Sequence, residues 1–210
     1  YKSEEYEVAN SCAFSDANED YLKRTPGSAS NRRTWTWSSW LKRSRNDATH
    51  MVFFTAPAGD LTEDDHLGIR FDSGTANLIL TWGDGNIAVS TATHHDSSAW
   101  FHLVVAIDTT QGTDTDRIKA YINGEAVTFG STDLPSQNHQ YGINKAQEHN
   151  IGSRVIYGAS GNYFDGYMAE IHFVDGSQLT PSSFGETDST YGHWKPKEYA
   201  GAHGTNGFYL

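Results

Sequence analysis

The chain has one cysteine, few basic residues and no long apolar run, and each shortage removes a class of answer. Cys12, alone among 210 residues, has no partner for an internal disulfide and says nothing of redox compartment. It reads as a small buried hydrophobe at a strand position. Fifteen basic against 26 acidic residues leave a net charge of −11. That is the opposite of the basic footprint that displaces counterions from nucleic acid, and it disfavours docking on anionic lipid. No apolar run approaches the roughly 20 residues that span a bilayer, and no stretch reads as the charged-then-apolar pattern of a secretion signal. Helical periodicity is almost missing too. The one candidate helical turn is Thr180–Gly185, where Thr180 caps, Pro181 suits the first helical position and Gly185 stops it.

What is present is two-residue alternation of apolar and polar side chains, cut by Gly, Asn, Asp, Ser and Thr into short runs. Strands are expected at 11–15, 21–24, 34–42, 50–56, 67–72, 77–82, 87–90, 100–108, 117–122, 125–129, 150–155, 167–174 and 207–210. The clearest hairpin joins 100–108 to 117–122, and Asn123-Gly124 is a strong two-residue turn signal into the next strand. Residues 131–147 read as a long loop. This is an all-β pattern: a two-sheet antiparallel jelly-roll sandwich with at most one short helical turn. Its length suits a single domain that buries its core without disulfides or metals. Residues 1–10 are expected to be a lead-in and 11–210 the domain. A chain that opens on Tyr1 and closes on a strand at Leu210 is expected to be part of something longer.

Three segments carry a family resemblance. The first is Arg33–Ser44, RTWTWSSWLKRS. The second runs from Trp100 through Asn123-Gly124, with Trp100, His102, Asp108 and Tyr121 at matching positions. The third is the C-terminal block, in which Asp175-Gly176, Leu179, Pro181, Phe184-Gly185-Glu186, Gly192, Trp194, Pro196-Lys197, Tyr199, Gly201, Gly204 and Asn206-Gly207-Phe208 recur in order, preceded by Ile151-Gly152. Together they resemble the concanavalin A-like, laminin-G-type jelly roll, and the C-terminal block is especially similar to lectin-like domains of bacteriophage structural proteins. The resemblance implies a recognition fold, often with calcium at one rim, and implies a structural role for His102.

Aromatic side chains are the obvious sugar-stacking candidates. On a strand, Trp35 and Trp37 share one face and Trp40 takes the other. Core or inner-face packing is expected for Trp40 and Trp100, since aromatics fill a sandwich core about 10 Å thick. Trp35 and Trp37 are open to either role. Aromatic residues near turns suit a binding rim better than those in mid-strand, which selects Trp82, Asp84 and Asn86 at one hairpin tip and Tyr191, His193 and Trp194 in the glycine-rich return. Calcium, which takes six to eight oxygen ligands, would find Asp60 and Asp64 (beside Glu63 and Asp65) in one loop and Asp114 and Asp116 in another. The neighbours His94 and His95 point to opposite faces and make a poor zinc chelate.

Catalysis has little to stand on. A retaining glucanase needs two carboxylates on one strand face about 5–5.5 Å apart. The nearest stretch, Glu170-Ile171-His172-Phe173-Val174-Asp175, has a histidine in the central place and its two acids on opposite faces. No nucleophile elbow or phosphate-cradling loop appears either. The chain therefore reads as a non-catalytic recognition module for carbohydrate or a glycosylated surface, on a virion appendage or a secreted adhesin. It would be extracellular or on a virion surface, in a homo-oligomer or a larger fibre. The alternative is a structural subunit of a virion or extracellular filament. A polysaccharide-active enzyme comes third.

Overall fold

The computed structural model describes residues 6–45, 51–56, 66–82, 85–156 and 159–210. Its strands, in chain order, begin with β1 (Cys12–Phe14), β2 (Leu22–Arg24), β3 (Thr34–Arg43), β4 (Met51–Ala56), β5 (Leu67–Phe71) and β6 (Asn77–Trp82). Then come β7 (Gly85–Thr93), β8 (Phe101–Asp108), β9 (Ile118–Ile122), β10 (Glu125–Ala126), β11 (Phe129–Thr132) and β12 (His149–Ile151). The last are β13 (Arg154–Ile156), β14 (Ala159–Gly161), β15 (Gly166–Asp175), β16 (Gly185–Thr187), β17 (Trp194–Pro196) and β18 (Phe208–Tyr209). Helix is limited to single 3-10 turns at Asp16–Asn18, Asp114–Asp116 and Pro181–Ser183 among the described residues. The last of these is the turn expected from Thr180 and Pro181, with the proline at its start. Among the described residues no helix is long and apolar enough to cross a membrane.

Two large antiparallel sheets form a sandwich. The first is ordered β1-β15-β3-β8-β9-β10, with β18 also paired to β15; the second is β11-β7-β6-β5-β4-β12-β2. Alternation explains the core. Trp35 and Trp37 on β3, Val105 and Ile107 on β8 and Phe173 on β15 face inward, where they meet Phe54, Ile69 and Leu80 of the second sheet. The Trp37 ring lies flat on Phe54, centroids 4.6 Å apart and planes 12° from parallel. Both tryptophans of this pair are wholly buried, which settles their role as core.

One irregularity shapes the other side of the first sheet. Ala169 pairs with Trp40 but His172 pairs with Ser38, so three steps of β15 match two of β3. The extra residue is a β-bulge. It restarts the alternation, so that Met168 and Ile171, three apart, both enter the core. Within the bulge Glu170 holds a left-handed φ of 49°, a region that residues with a Cβ seldom occupy.

A cleft on the outer face of the first sheet

The outer face of the first sheet carries a row of side chains in register: Ala169 on β15, Trp40 on β3, and His102 on β8. Trp40 stacks on His102 with centroids 5.2 Å apart. The Nε1–H of Trp194 donates to His102 Nδ1 at 3.0 Å. An indole can only donate, so Nδ1 is the acceptor and the imidazole proton sits on Nε2, facing the Ser38 hydroxyl at 2.8 Å. Burial, with a smaller push from His172, takes the His102 pKa down to about 3 and keeps the ring neutral. The structural role implied for His102 is therefore real: it ties β3 to the C-terminal return. Trp194 in turn lies over Gly124 and Gly185, where a Cβ would come within 2.7 and 2.6 Å of its ring. A second small core of Val104, Val174 and Phe184, with Tyr121, Leu179 and Tyr199 around it, seals that return against the sheet.

Beside this covered region the face opens into a cleft of about 390 Å³, lined by Val8, Ala9, Asn10, Ser11, Trp40, Trp100, Ala169 and Pro196. Strand order places its parts. Trp40 and Ala169 come from the middle strands. The segment 8–11 leads into β1 on one side, while Trp100, just ahead of β8, stands on the other. Pro196 is brought in by β17, which Trp194 anchors. Trp100 leaves 38% of its surface exposed and Tyr167, also on this face, 43%; their rings are 6.4 Å apart. The cleft thus offers indole faces, an amide and a hydroxyl, and none of its lining residues is ionisable. That suits the apolar faces and hydroxyl rims of a neutral sugar, and it is within the size range of small-ligand sites, about 300–1,000 Å³. Core packing was the expectation for Trp40 and Trp100. The structure reverses it: the inward pair is Trp35 and Trp37, and Trp40, on the opposite parity, goes outward with Trp100.

The residues expected at a rim fall into two groups on different sheets. Trp82 ends β6 in the second sheet, half-buried against His139 (4.4 Å between centroids) and Tyr141 (6.0 Å). Asn86, on β7 of the same sheet, is exposed. Asp84 lies outside the described residues. Tyr191, His193 and Trp194 belong to the C-terminal hairpin over the first sheet. Tyr191 is 81% exposed, with the exposed His193 ring 6.1 Å from it. That loop is fixed by Asp188, whose Oδ1 accepts the Thr190 and Tyr191 amides at 2.8 Å each while Oδ2 meets Lys195 Nζ at 3.1 Å. The Tyr191 amide, Lys195 and the Thr190 amide hold its carboxyl down at about 2. Trp194 is occupied by packing, leaving Tyr191 and His193 as the accessible members of the group.

Of the calcium candidates, Asp60 and Asp64, with Glu63 and Asp65, lie outside the described residues. Asp114 and Asp116 sit in the 3-10 turn before β9. Asp114 Oδ1 accepts the Thr115 amide at 2.7 Å, and Asp116 pairs with Lys119 Nζ at 3.1 Å. Among the described residues no three His, Cys, Asp or Glu side chains converge as a metal would require. The two acids of the 170–175 stretch also stay apart. Glu170 takes hydrogen bonds from the Tyr6 and Tyr209 hydroxyls at 2.6 and 2.7 Å. Asp175 instead takes the Asn144 amide group at 2.9 Å and the Asn206 backbone amide at 3.0 Å.

The sequence profile of the concanavalin A-like lectin/glucanases superfamily matches residues 16–183. The chain belongs to that superfamily. No curated protein sequence gives a match. Among solved structures, the fold is similar to a putative carbohydrate binding protein from Bacteroides ovatus, at TM-score 0.57 and 15% identity over 84% of this chain and 46% of that one. It is similar to domain 4 of AbnA, a GH43 extracellular arabinanase from Geobacillus stearothermophilus solved with arabinotriose, at TM-score 0.55 and 21% identity over 77% of this chain and 69% of that one. Tailspike protein 2 of an Escherichia coli O157:H7 bacteriophage is similar at TM-score 0.56 and 16% identity, over 82% of this chain but only 23% of the tailspike. At these identities the likeness is one of fold. The matched region includes Trp40, Trp100 and Ala169 of the cleft, whereas the 8–11 wall and Pro196 fall outside it.

Proposed function

We propose that the chain is a non-catalytic recognition module that binds carbohydrate, or a glycosylated surface, in the cleft on the outer face of its first sheet. The observation that carries this is the cleft itself: Trp40 and Trp100 presented on a face where solvent reaches them, beside Asn10 and Ser11, with no carboxylate in the lining to act as acid or base. Tyr191 and His193, exposed on the neighbouring hairpin, are the second place where a sugar would be met. A virion appendage or secreted adhesin is the setting, supported by the phage-like C-terminal block and by the likeness in fold to a tailspike.

The test is a screen of the folded domain against a broad glycan array, in calcium and again in chelator. Saturable binding to a related set of glycans is the expected result. Loss of that binding in chelator would show a calcium requirement and turn attention to the acidic candidates Asp60, Asp64, Asp114 and Asp116, and persistence would leave the metal out. Disappearance of a glycan on incubation would instead identify an enzyme. Silence from folded protein would favour the structural subunit.

A further inference from the structure

Glu170 is 7% exposed, sits at a left-handed φ in a bulge, and has His172 Nε2 3.5 Å from its carboxylate. Strained backbone of this kind persists only where the surroundings hold it in place. Here the surroundings are the two ends of the described chain. Tyr6 comes from the segment ahead of β1. Tyr209 comes from β18, with its ring stacked 4.6 Å from His172. A hydroxyl donating to a carboxylate is among the stronger hydrogen bonds of a protein, and 2.6 Å is the length expected of one. Two residues beyond Tyr6, the chain becomes the 8–11 wall of the cleft. Strand pairing of this segment with the sheet begins at Cys12, opposite Met168.

Resting on the reading of the cleft as the ligand site, we propose that Glu170 is its positioning residue: by receiving the Tyr6 hydroxyl it fixes residues 8–11 as the wall across from Trp100, and so sets the width of the opening without touching what binds there. The bulge is what makes this possible. It gives β15 one extra residue, so that Ala169 lines the cleft while its neighbour Glu170 holds the latch.

The experiment needs no sugar, so its failure is separable from failure of the carbohydrate reading. In the full chain, Tyr6→Phe removes only the hydroxyl and Glu170→Gln keeps the shape but not the charge. Cleavage after Glu7 by a glutamyl endopeptidase, read by mass spectrometry, reports release of the segment. Acrylamide quenching of indole emission reports uncovering of the cleft. Tyr6→Phe is expected to raise the cleavage rate about tenfold, the scale of one lost charge-assisted hydrogen bond. It should also increase quenching, with that increase lost in a Trp100→Phe background, and leave the denaturation midpoint near wild type. Glu170→Gln should do the same to cleavage and quenching. Unchanged cleavage in folded Tyr6→Phe overturns the proposal. So does faster cleavage with unchanged quenching, because the segment would then be latched without forming the wall.

Discussion

Trp100 and Trp37 are the same residue type in opposite positions, and their substitutions separate binding from folding. Trp37 is wholly buried and stacked on Phe54, so Trp37→Ala leaves a large cavity between the sheets. It is expected to cost about 3–5 kcal/mol, visible as a collapse of the denaturation midpoint. Trp100 is 38% exposed, and Trp100→Ala should shift stability by no more than about 1 kcal/mol, as surface substitutions do. Under the proposed reading of the cleft its effect falls on recognition, where loss of an anchoring aromatic weakens binding by more than about tenfold. The midpoint and the affinity measured on the same two variants check both halves.

The C-terminal hairpin is anchored by the Trp194 indole beside the small core around Phe184, and the fit at the indole is tight enough to test. Gly124 has a φ of 85°, and a Cβ there would meet Trp194 at 2.7 Å. Gly124→Ala should therefore lose about 1–3 kcal/mol through overpacking and release the Trp194 bond to His102, seen as a red shift in indole emission. This hairpin also shows how far the sequence could be read. The Asn123-Gly124 turn, the Pro181 turn, the long strand at 34 and the strand at 167 were all legible, because turn chemistry and two-residue alternation are local. Trp40 was assigned the correct face relative to Trp35 and Trp37, but alternation alone does not say which face is the core. The second sheet decides that, and it packs against Trp35 and Trp37. The Glu170 bulge was equally hidden: an extra residue in one strand is defined only by the partner strand opposite it. The cleft was unreadable for the same reason, since its walls come from residues 8–11, Trp100 and Pro196, which are far apart in the chain.

At the scale of the whole molecule, buried histidines govern the response to acid. Burial takes His102 down to about 3 and His149 down to about 4, and burial with help from Arg43 and His95 lowers His94. His102 and His149 are neutral when folded yet protonate near pH 6.5 when unfolded, and His94 shifts in the same direction. The unfolded state thus binds more protons below that pH, so stability is full above about 6.5 and falls as the pH drops towards 4. Within that window His102 and His149 each remove up to about 1.4 kcal/mol per pH unit. The Glu170 carboxyl moves the other way. Burial pushes it up, but hydrogen bonds from His172, Tyr6 and Tyr209 outweigh that and leave it lowered. Its contribution is therefore full above about pH 4.5 and is lost as the pH falls below that, through its own depressed pKa. Urea midpoints at pH 7 and pH 5 should differ clearly, with the lower at pH 5; equal midpoints would mean the histidines are not buried as described.

The central claim is that the outer-face cleft recognises carbohydrate, and the most direct measurement is a parallel glycan-array comparison of wild type, Trp100→Ala and Tyr191→Ala, each shown to be folded. Saturable binding is expected of wild type, with its loss in Trp100→Ala and at most a modest weakening in Tyr191→Ala. Undiminished binding by Trp100→Ala, above all with loss in Tyr191→Ala, would contradict it and move the site to the C-terminal hairpin.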